Sequence, residues 1–268
     1  MPQPAADAPP QKRGSRANSA VLGSPSARLA GLLGLAAVLI LACGASLAIG
    51  SLTIPLGDVW RAITAPDGSD ATAIVRDLRA PRTVLGLLVG AALGAAGALM
   101  QGVTRNPLAE PGLLGINAGA AFLVVVAISQ LGVDSVSGYA VFALVGAAAT
   151  AVLVFALGGT SRGGPTPVRL ALAGAVLMTL LVSLTSAILV FDARTLDEYR
   201  FWIVGSIAGR DGSVTSAVAP LIGVGLVLAV ASSRGLNALA LGDDVARSLG
   251  ANVGRARILA GIGFVLLA

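Results

Sequence analysis

Two arginines three residues apart, Arg79 and Arg82, close a polar segment and stand directly before a long uncharged run. Guanidinium groups at that spacing share one side of a helix and can pair with carboxylates in a directional, often bidentate way. They can equally hold lipid headgroups or mark a membrane boundary. Further along, Thr179, Ser183 and Ser186 fall at i, i+4 and i+7 inside another uncharged run, which gives one helix a hydroxyl stripe. Such a stripe either bonds the carbonyls one turn back or a neighbouring helix, or it lines a water-accessible path for a bulky polar solute. Near the end, Asp243 and Asp244 suit a helix N-terminus, Val245 and Leu249 share a face, and Gly250 suits a stop. That pattern describes a short surface helix or a docking element.

Other chemistries are excluded by what is missing. The chain has no histidine, one lysine, Lys12, in its polar N-terminal tail, and one cysteine, Cys43. No disulfide can form within the chain, and neither a His-Glu-x-x-His zinc site nor a Ser-His dyad can be built. A P-loop needs a lysine after its glycines, so ATP is not bound in that way. No catalytic residue, metal ligand or cofactor is therefore expected, and no nucleic acid partner. The uncharged runs offer no carboxylate, which counts against an intramembrane aspartyl protease and against a proton-coupled carrier. An ion-coupled secondary transporter of a small solute and an intramembrane enzyme are the alternatives to a transport subunit without its own energy source.

The elements that position these residues follow from composition. Hydrophobic residues make up 56% of the chain and charged residues 12%, with a mean hydropathy of +0.88, a balance typical of a membrane protein. Uncharged runs occupy 29–57, 83–104, 111–133, 135–161, 170–191 and 212–233, each of 22 residues or more. A helix of that length reaches about 33 Å, enough to cross a hydrocarbon core of roughly 30 Å. The fold expected is an all-α polytopic bundle with six complete transmembrane helices and a partial seventh, which opens at Ile258 and stops at Ala268. Residues 1–28, rich in Pro, Ala, Ser and Arg, read as a disordered tail, and 29–268 as the transmembrane domain. The rival reading, a signal cleaved near Ser46-Leu47-Ala48, requires an unusually long apolar core. Between the first two spans, 51–82 has room for one or two short surface helices, with Pro55 and Pro66 as breaks. Gly86, Gly90, Gly94 and Gly97 predict close helix packing along the second span.

Thr104-Arg105-Asn106-Pro107-Leu108-Ala109-Glu110-Pro111-Gly112 interrupts two of these runs. Its two prolines forbid one continuous helix, so the chain must turn back. With the tail in the cytoplasm, the tail, this hinge, the loop near 160–169 and the segment 234–257 lie inside and hold 11 of the 18 basic residues. The positive-inside rule favours that orientation. Arg61, Arg76, Arg79 and Arg82 then lie outside, against the rule, and a partner offering carboxylates would account for them.

Several blocks in order resemble the bacterial inner-membrane permeases for ferric siderophores, haem and vitamin B12. They are Ile54-Pro55-Leu56 with Val59-Trp60, Leu78-Arg79-Ala80-Pro81-Arg82-Thr83, GALMQGVTRNPLAEPGLLGINAGA, Phe201-Trp202-Ile203-Val204-Gly205-Ser206, and Leu241 to Gly250. The resemblance implies a helical permease of the type II ATP-binding-cassette importer kind, multi-pass in the plasma membrane. It also implies cytoplasmic ATPase subunits, an extracytoplasmic substrate-binding protein and a second permease subunit, a copy or a paralogue. By the same resemblance Arg79 and Arg82 would dock the binding protein, and Asn106, Pro107 and Leu108 would form part of the cytoplasmic gate. Thr179, Ser183 and Ser186 would line the path. Asp243, Asp244, Val245, Arg247, Leu249 and Gly250 would couple to the ATPase.

Three departures stand out. Where the family can carry a gating threonine two residues before an arginine, this chain has Pro167 before Arg169, with Thr166 one place off. After Gly205-Ser206, Arg210-Asp211-Gly212 stands where the family often has a tryptophan. The family's closing helices, with their Gly-Pro and Val-Pro-His blocks, are absent, so the resemblance predicts a fragment that does not function alone.

Overall fold

The computed structural model describes residues 25–159, 166–209 and 212–268. Helix dominates, and among the described residues there is no strand. This is what an apolar chain requires in lipid, where each backbone donor and acceptor must find its partner within the protein. The chain divides into two compact units, residues 1–60 and 61–268.

The first unit holds α1, Pro25–Ala48. Its start corrects the expected tail, because Pro25 to Arg28 are already helical; a proline near the first helical position loses no hydrogen bond there, and Ala27 and Arg28 favour the helix. The rest of the expected tail, 1–24, lies outside the described residues. The apolar run continues to 57, but the helix stops at Ala48, and Ile54 then donates its N–H to the Ala48 carbonyl at 2.9 Å. Leucines all along α1, from Leu29 to Leu41, are exposed, as suits a lipid-facing span.

α2, Leu56–Thr64, is the short surface helix expected after Pro55. The second unit then begins its bundle with α3, one continuous helix from Asp70 to Thr104. Within it, Ile74–Arg79 is π-helical, with the Ala80 N–H bonded to the Val75 carbonyl. Pro81 supplies the cause: it has no N–H for the carbonyl four residues earlier, and its ring crowds that turn. Of the one or two surface helices for which 51–82 has room, α2 is therefore the one that stands apart, and 70–79 is absorbed into the span.

α4, Ile116–Leu131, follows a 3-10 turn at Pro111–Leu114 and has only 16 residues. At 1.5 Å per residue it reaches about 24 Å, shorter than the complete span its uncharged run predicts. Gly115 at φ 66 and Gly132 at φ 64 fix its two ends. Its buried residues, among them Ile116, Gly119, Val124, Val125 and Ile128, point in several directions, so protein encloses it where lipid surrounds a longer helix. α5, Val136–Gly159, α6, Pro167–Phe191, and α8, Gly212–Leu239, span as expected, with α7, Ala193–Ile203, between the last two. Among the described residues, five helices are therefore long and apolar enough to cross a membrane, beside the shorter α4.

After α8 come the short α9, Asp243–Ser248, and α10, Val253–Leu267. α10 starts before the apolar run does, because the Asn252 side chain caps it, accepting the Arg255 N–H at 2.9 Å. α3 packs against α8 and α10, while α4 packs against α5 and α6. Ala96, Leu99, Leu236, Ala260 and Phe264 are buried in the shared core.

The close packing expected along Gly86, Gly90, Gly94 and Gly97 is not there. A β-carbon at Gly86 would just touch Ile207, and at the other three it would meet nothing within 4 Å. The backbones approach instead where α4 crosses α5: a β-carbon at Gly119 would stand 2.7 Å from the Gly146 carbonyl oxygen. Glycine is required there, whereas the α3 stripe leaves Leu85, Ala92, Ala96 and Leu99 to make the packed face.

Candidate functional site

α3 carries candidate residues at both ends. At its N-terminal end, Arg79 closes the π-helical stretch and is buried, while Arg82, three residues on, is exposed. The pair thus does not present two equivalent guanidinium groups. Thr83 donates its hydroxyl to the Arg79 carbonyl at 2.7 Å, which satisfies an acceptor in the turn that Pro81 disturbs.

The C-terminal end lies about 39 Å away along the axis, counting from Arg79 to Arg105 at 1.5 Å per residue. Here α3 ends on Arg105 in the left-handed conformation, φ 52, a position usually filled by glycine. Gln101 accepts from the backbone N–H groups of both Arg105 and Asn106. The Asn106 side chain then accepts the Leu108 N–H at 2.9 Å, and the Asn106 carbonyl accepts the Ala109 N–H at 3.1 Å. This is a side-chain-stabilised turn of the kind asparagine favours. Leu108 projects outward, 85% exposed, whereas Ala109 and Leu114 are buried. Gly115 closes the reversal; a β-carbon there would stand 2.8 Å from the Gly174 carbonyl oxygen of α6.

α9 meets this turn. Asp243 accepts hydrogen bonds from the Arg105 guanidinium and, at 2.9 and 3.2 Å, from Arg257 of α10. Burial alone would raise the Asp243 pKa, but the Arg105 hydrogen bond and the Arg257 charge outweigh it and hold the carboxyl below its ordinary value. Asp244 points the other way, fully exposed, and pairs with Arg247 at 3.0 Å. Leu241, Val245 and Leu249, spaced by four, are exposed, while Ala246 is buried on the opposite side. Gly250, at φ 79, ends the segment with its N–H on the Arg247 carbonyl at 2.9 Å. α8 continues to Leu239 and α10 begins at Val253, so residues 240–252 join the two helices.

Each hydroxyl of the α6 stripe donates to the carbonyl four residues back: Thr179 to Ala175, Ser183 to Thr179, and Ser186 to Val182, at 2.8 to 2.9 Å. All three are exposed, and Thr179 and Ser183 line an open groove of about 480 Å³ with Ala175, Val176 and Leu180. A hydroxyl that donates within its helix still keeps lone pairs turned outward. Thr166 has a definite place: its hydroxyl oxygen caps α6, accepting the Arg169 N–H at 3.4 Å. Arg210 and Asp211 lie outside the described residues.

Sequence reasoning missed the Arg105–Asp243–Arg257 cluster. The lone arginine in the hinge and the two arginines, Arg255 and Arg257, at the start of the final helix were its signals.

Comparison with known proteins fits this architecture. The chain is 40% identical to the ferric enterobactin transport system permease protein FepD of Escherichia coli, over 87% of this chain and 70% of that protein. It is 37% identical to a probable siderophore transport system permease protein of Bacillus subtilis, YfiZ, over 86% and 69% of the two chains. It is also 34% identical to the cobalamin import system permease protein BtuC of Halobacterium salinarum, over 84% and 64%. A solved inward-facing structure described as a metal-chelate type ABC transporter superposes with a TM-score of 0.71 at 26% identity, covering 88% of this chain and 71% of that one. With residues 38–268 matching the family as a whole, the chain belongs to the FecCD transport family.

Proposed function

We propose that this chain is the membrane permease of an ATP-driven importer that moves a ferric siderophore inward by alternating access, without chemistry on the cargo. The observation that carries this reading is its likeness to FepD, 40% identical across 87% of the chain. Related metal chelates, haem or cobalamin are the neighbouring cargo classes. ATP hydrolysis belongs to separate cytoplasmic ATPase subunits, and cargo arrives on an extracytoplasmic binding protein. A second permease subunit, a copy or a paralogue, completes the path, and the N-terminus is cytoplasmic.

The roles divide along α3. Arg82, backed by Arg79, meets carboxylates on the binding protein; the exposure of Arg82 supports this. Asn106, Pro107 and Leu108 form the cytoplasmic gate. Asp243 to Gly250 couple to the ATPase, a role supported by the exposed apolar row Leu241, Val245 and Leu249. Thr179, Ser183 and Ser186 line the path, where hydroxyls without fixed charge suit a cargo already wrapped in its own ligand.

The test is uptake of radiolabelled ferric enterobactin into vesicles carrying the chain with its permease partner, ATPase and binding protein. Uptake is expected to require ATP and to survive collapse of the proton gradient. Uptake that persists without ATP and stops with the gradient would establish an ion-coupled carrier instead.

A further inference from the structure

We infer that the Asp243 carboxylate is a tether that positions the gate turn, holding it through Arg105 to the coupling helix and through Arg257 to α10. This inference deepens the importer reading above and rests on it.

The geometry carries the argument. Asp243 is the first residue of α9, yet its side chain turns away from solvent and receives two guanidinium groups from elsewhere in the fold. Arg105 comes from the gate turn, 138 residues earlier in sequence, and Arg257 from the first part of α10. The side chains of Arg105, Asp243 and Arg257 keep only 31%, 26% and 18% of their exposure. Charges partly shielded in this way interact more strongly than a fully exposed pair. Asp244 is the internal contrast: one residue on, with the same chemistry, it is wholly exposed and bonds only within its own helix turn. Surface pairs of that kind contribute little.

Arg105 adds a second observation. Among the described residues it is the only one other than glycine with a positive φ. A residue with a β-carbon adopts that conformation at a cost and persists there when its surroundings hold it. Glycine would end α3 more easily, but it could not reach Asp243. The side chain at this position joins the end of α3 to α9, so a displacement of α9 acts directly on the turn that begins at Asn106.

The experiment reads the turn itself. Cys43 is replaced by Ser, the buried Ala109 by Cys, and reaction with a membrane-impermeant maleimide is timed on the full chain in lipid nanodiscs. Asp243→Asn and Arg105→Gln should each raise the labelling rate by about tenfold, the size expected from losing a charge-assisted hydrogen bond. Adding Arg105→Gln to Asp243→Asn should raise it no further, because the Arg105–Asp243 contact is already lost. Asp244→Asn should leave the rate as it was. A cysteine in place of Val154, buried in α5, reports on the fold and should stay protected in every variant. Unchanged labelling at position 109, additive effects, or an equal rise at position 154 would each overturn the tether.

In the assembled complex with its ATPase, nucleotide should change labelling at position 109 in the parent and not in Asp243→Asn; a preserved response there would overturn transmission through this carboxylate. The nanodisc arm uses neither ATP nor cargo. Failure of the tether is therefore read there, and failure of the importer reading is read in the uptake assay.

Discussion

The two ends of α3 both depart from regular helix and both carry arginine, but they do so in opposite ways. At the N-terminal end, the outer one in the proposed orientation, the cause is backbone: Pro81 withholds a donor, a π-helical stretch forms, and of the two arginines one is buried and one turned out. At the C-terminal end, the inner one in that orientation, the cause is side-chain chemistry, since Arg105 holds a left-handed backbone while its guanidinium engages Asp243. One end presents a charge to whatever arrives. The other spends its charge on neighbouring helices. Under the proposed function the first would recognise a partner and the second would follow a motion.

The sharpest way to break the comparison is at the inner end. Gly250→Pro places a residue restricted to φ near −65° where the backbone needs φ 79, and it removes the N–H bonded to Arg247. The local cost is about 3 kcal/mol or more. We expect the variant to insert in the membrane but to lose ATP-coupled uptake or to release its ATPase, measured by cargo-stimulated hydrolysis and co-purification. Normal stimulated hydrolysis would remove the coupling role from this segment.

The outer end should respond more mildly and in a different assay. Arg82→Glu is expected to weaken docking of the binding protein by about tenfold to a hundredfold, the range for reversing one charged hydrogen-bonding group at an interface. ATPase binding should be untouched. Arg79→Glu should add a loss of thermal stability, because it buries a carboxylate in place of a guanidinium. Surface plasmon resonance against the binding protein reads the first effect and thermal denaturation the second. Docking unchanged in the double variant would leave the arginines with a structural role only.

Much of this division was legible in the residues, and what was not has physical reasons. The hinge at 104–112 announces itself because two prolines cannot sit in one helix, and the long spans follow from uncharged runs longer than a bilayer core. The π-helical stretch leaves no such mark: Pro81 near a helix start normally reads as harmless. A left-handed Arg105 is equally silent, since that position usually signals itself by glycine. Asp243 looked like one of two equivalent helix-start carboxylates, and only the fold separates it from Asp244 by bringing distant arginines to it. The glycines misled for a related reason. In so glycine-rich a chain the four glycines spaced along α3 were conspicuous, whereas Gly119, four residues after Gly115, and the isolated Gly146, which make the close approach, stand out less.

Thr166 offers the smallest and most discriminating test, because it asks whether a residue near a family gating position gates here or merely holds a helix. Its hydroxyl caps α6 through the Arg169 N–H, and Pro167 follows at the first helical position, where a missing N–H is harmless. Thr166→Ala should then cost about 1 kcal/mol of stability, the usual loss for an N-cap, and Thr166→Ser should cost almost none. Uptake per ATP should be unchanged in both. A gating hydroxyl would behave otherwise: Ala would lower uptake per ATP without moving the denaturation midpoint, and Gly250→Pro would hide the effect, since both would act on the same transmission. A cap is indifferent to Gly250, so stability loss at Thr166 should be the same with and without that second change.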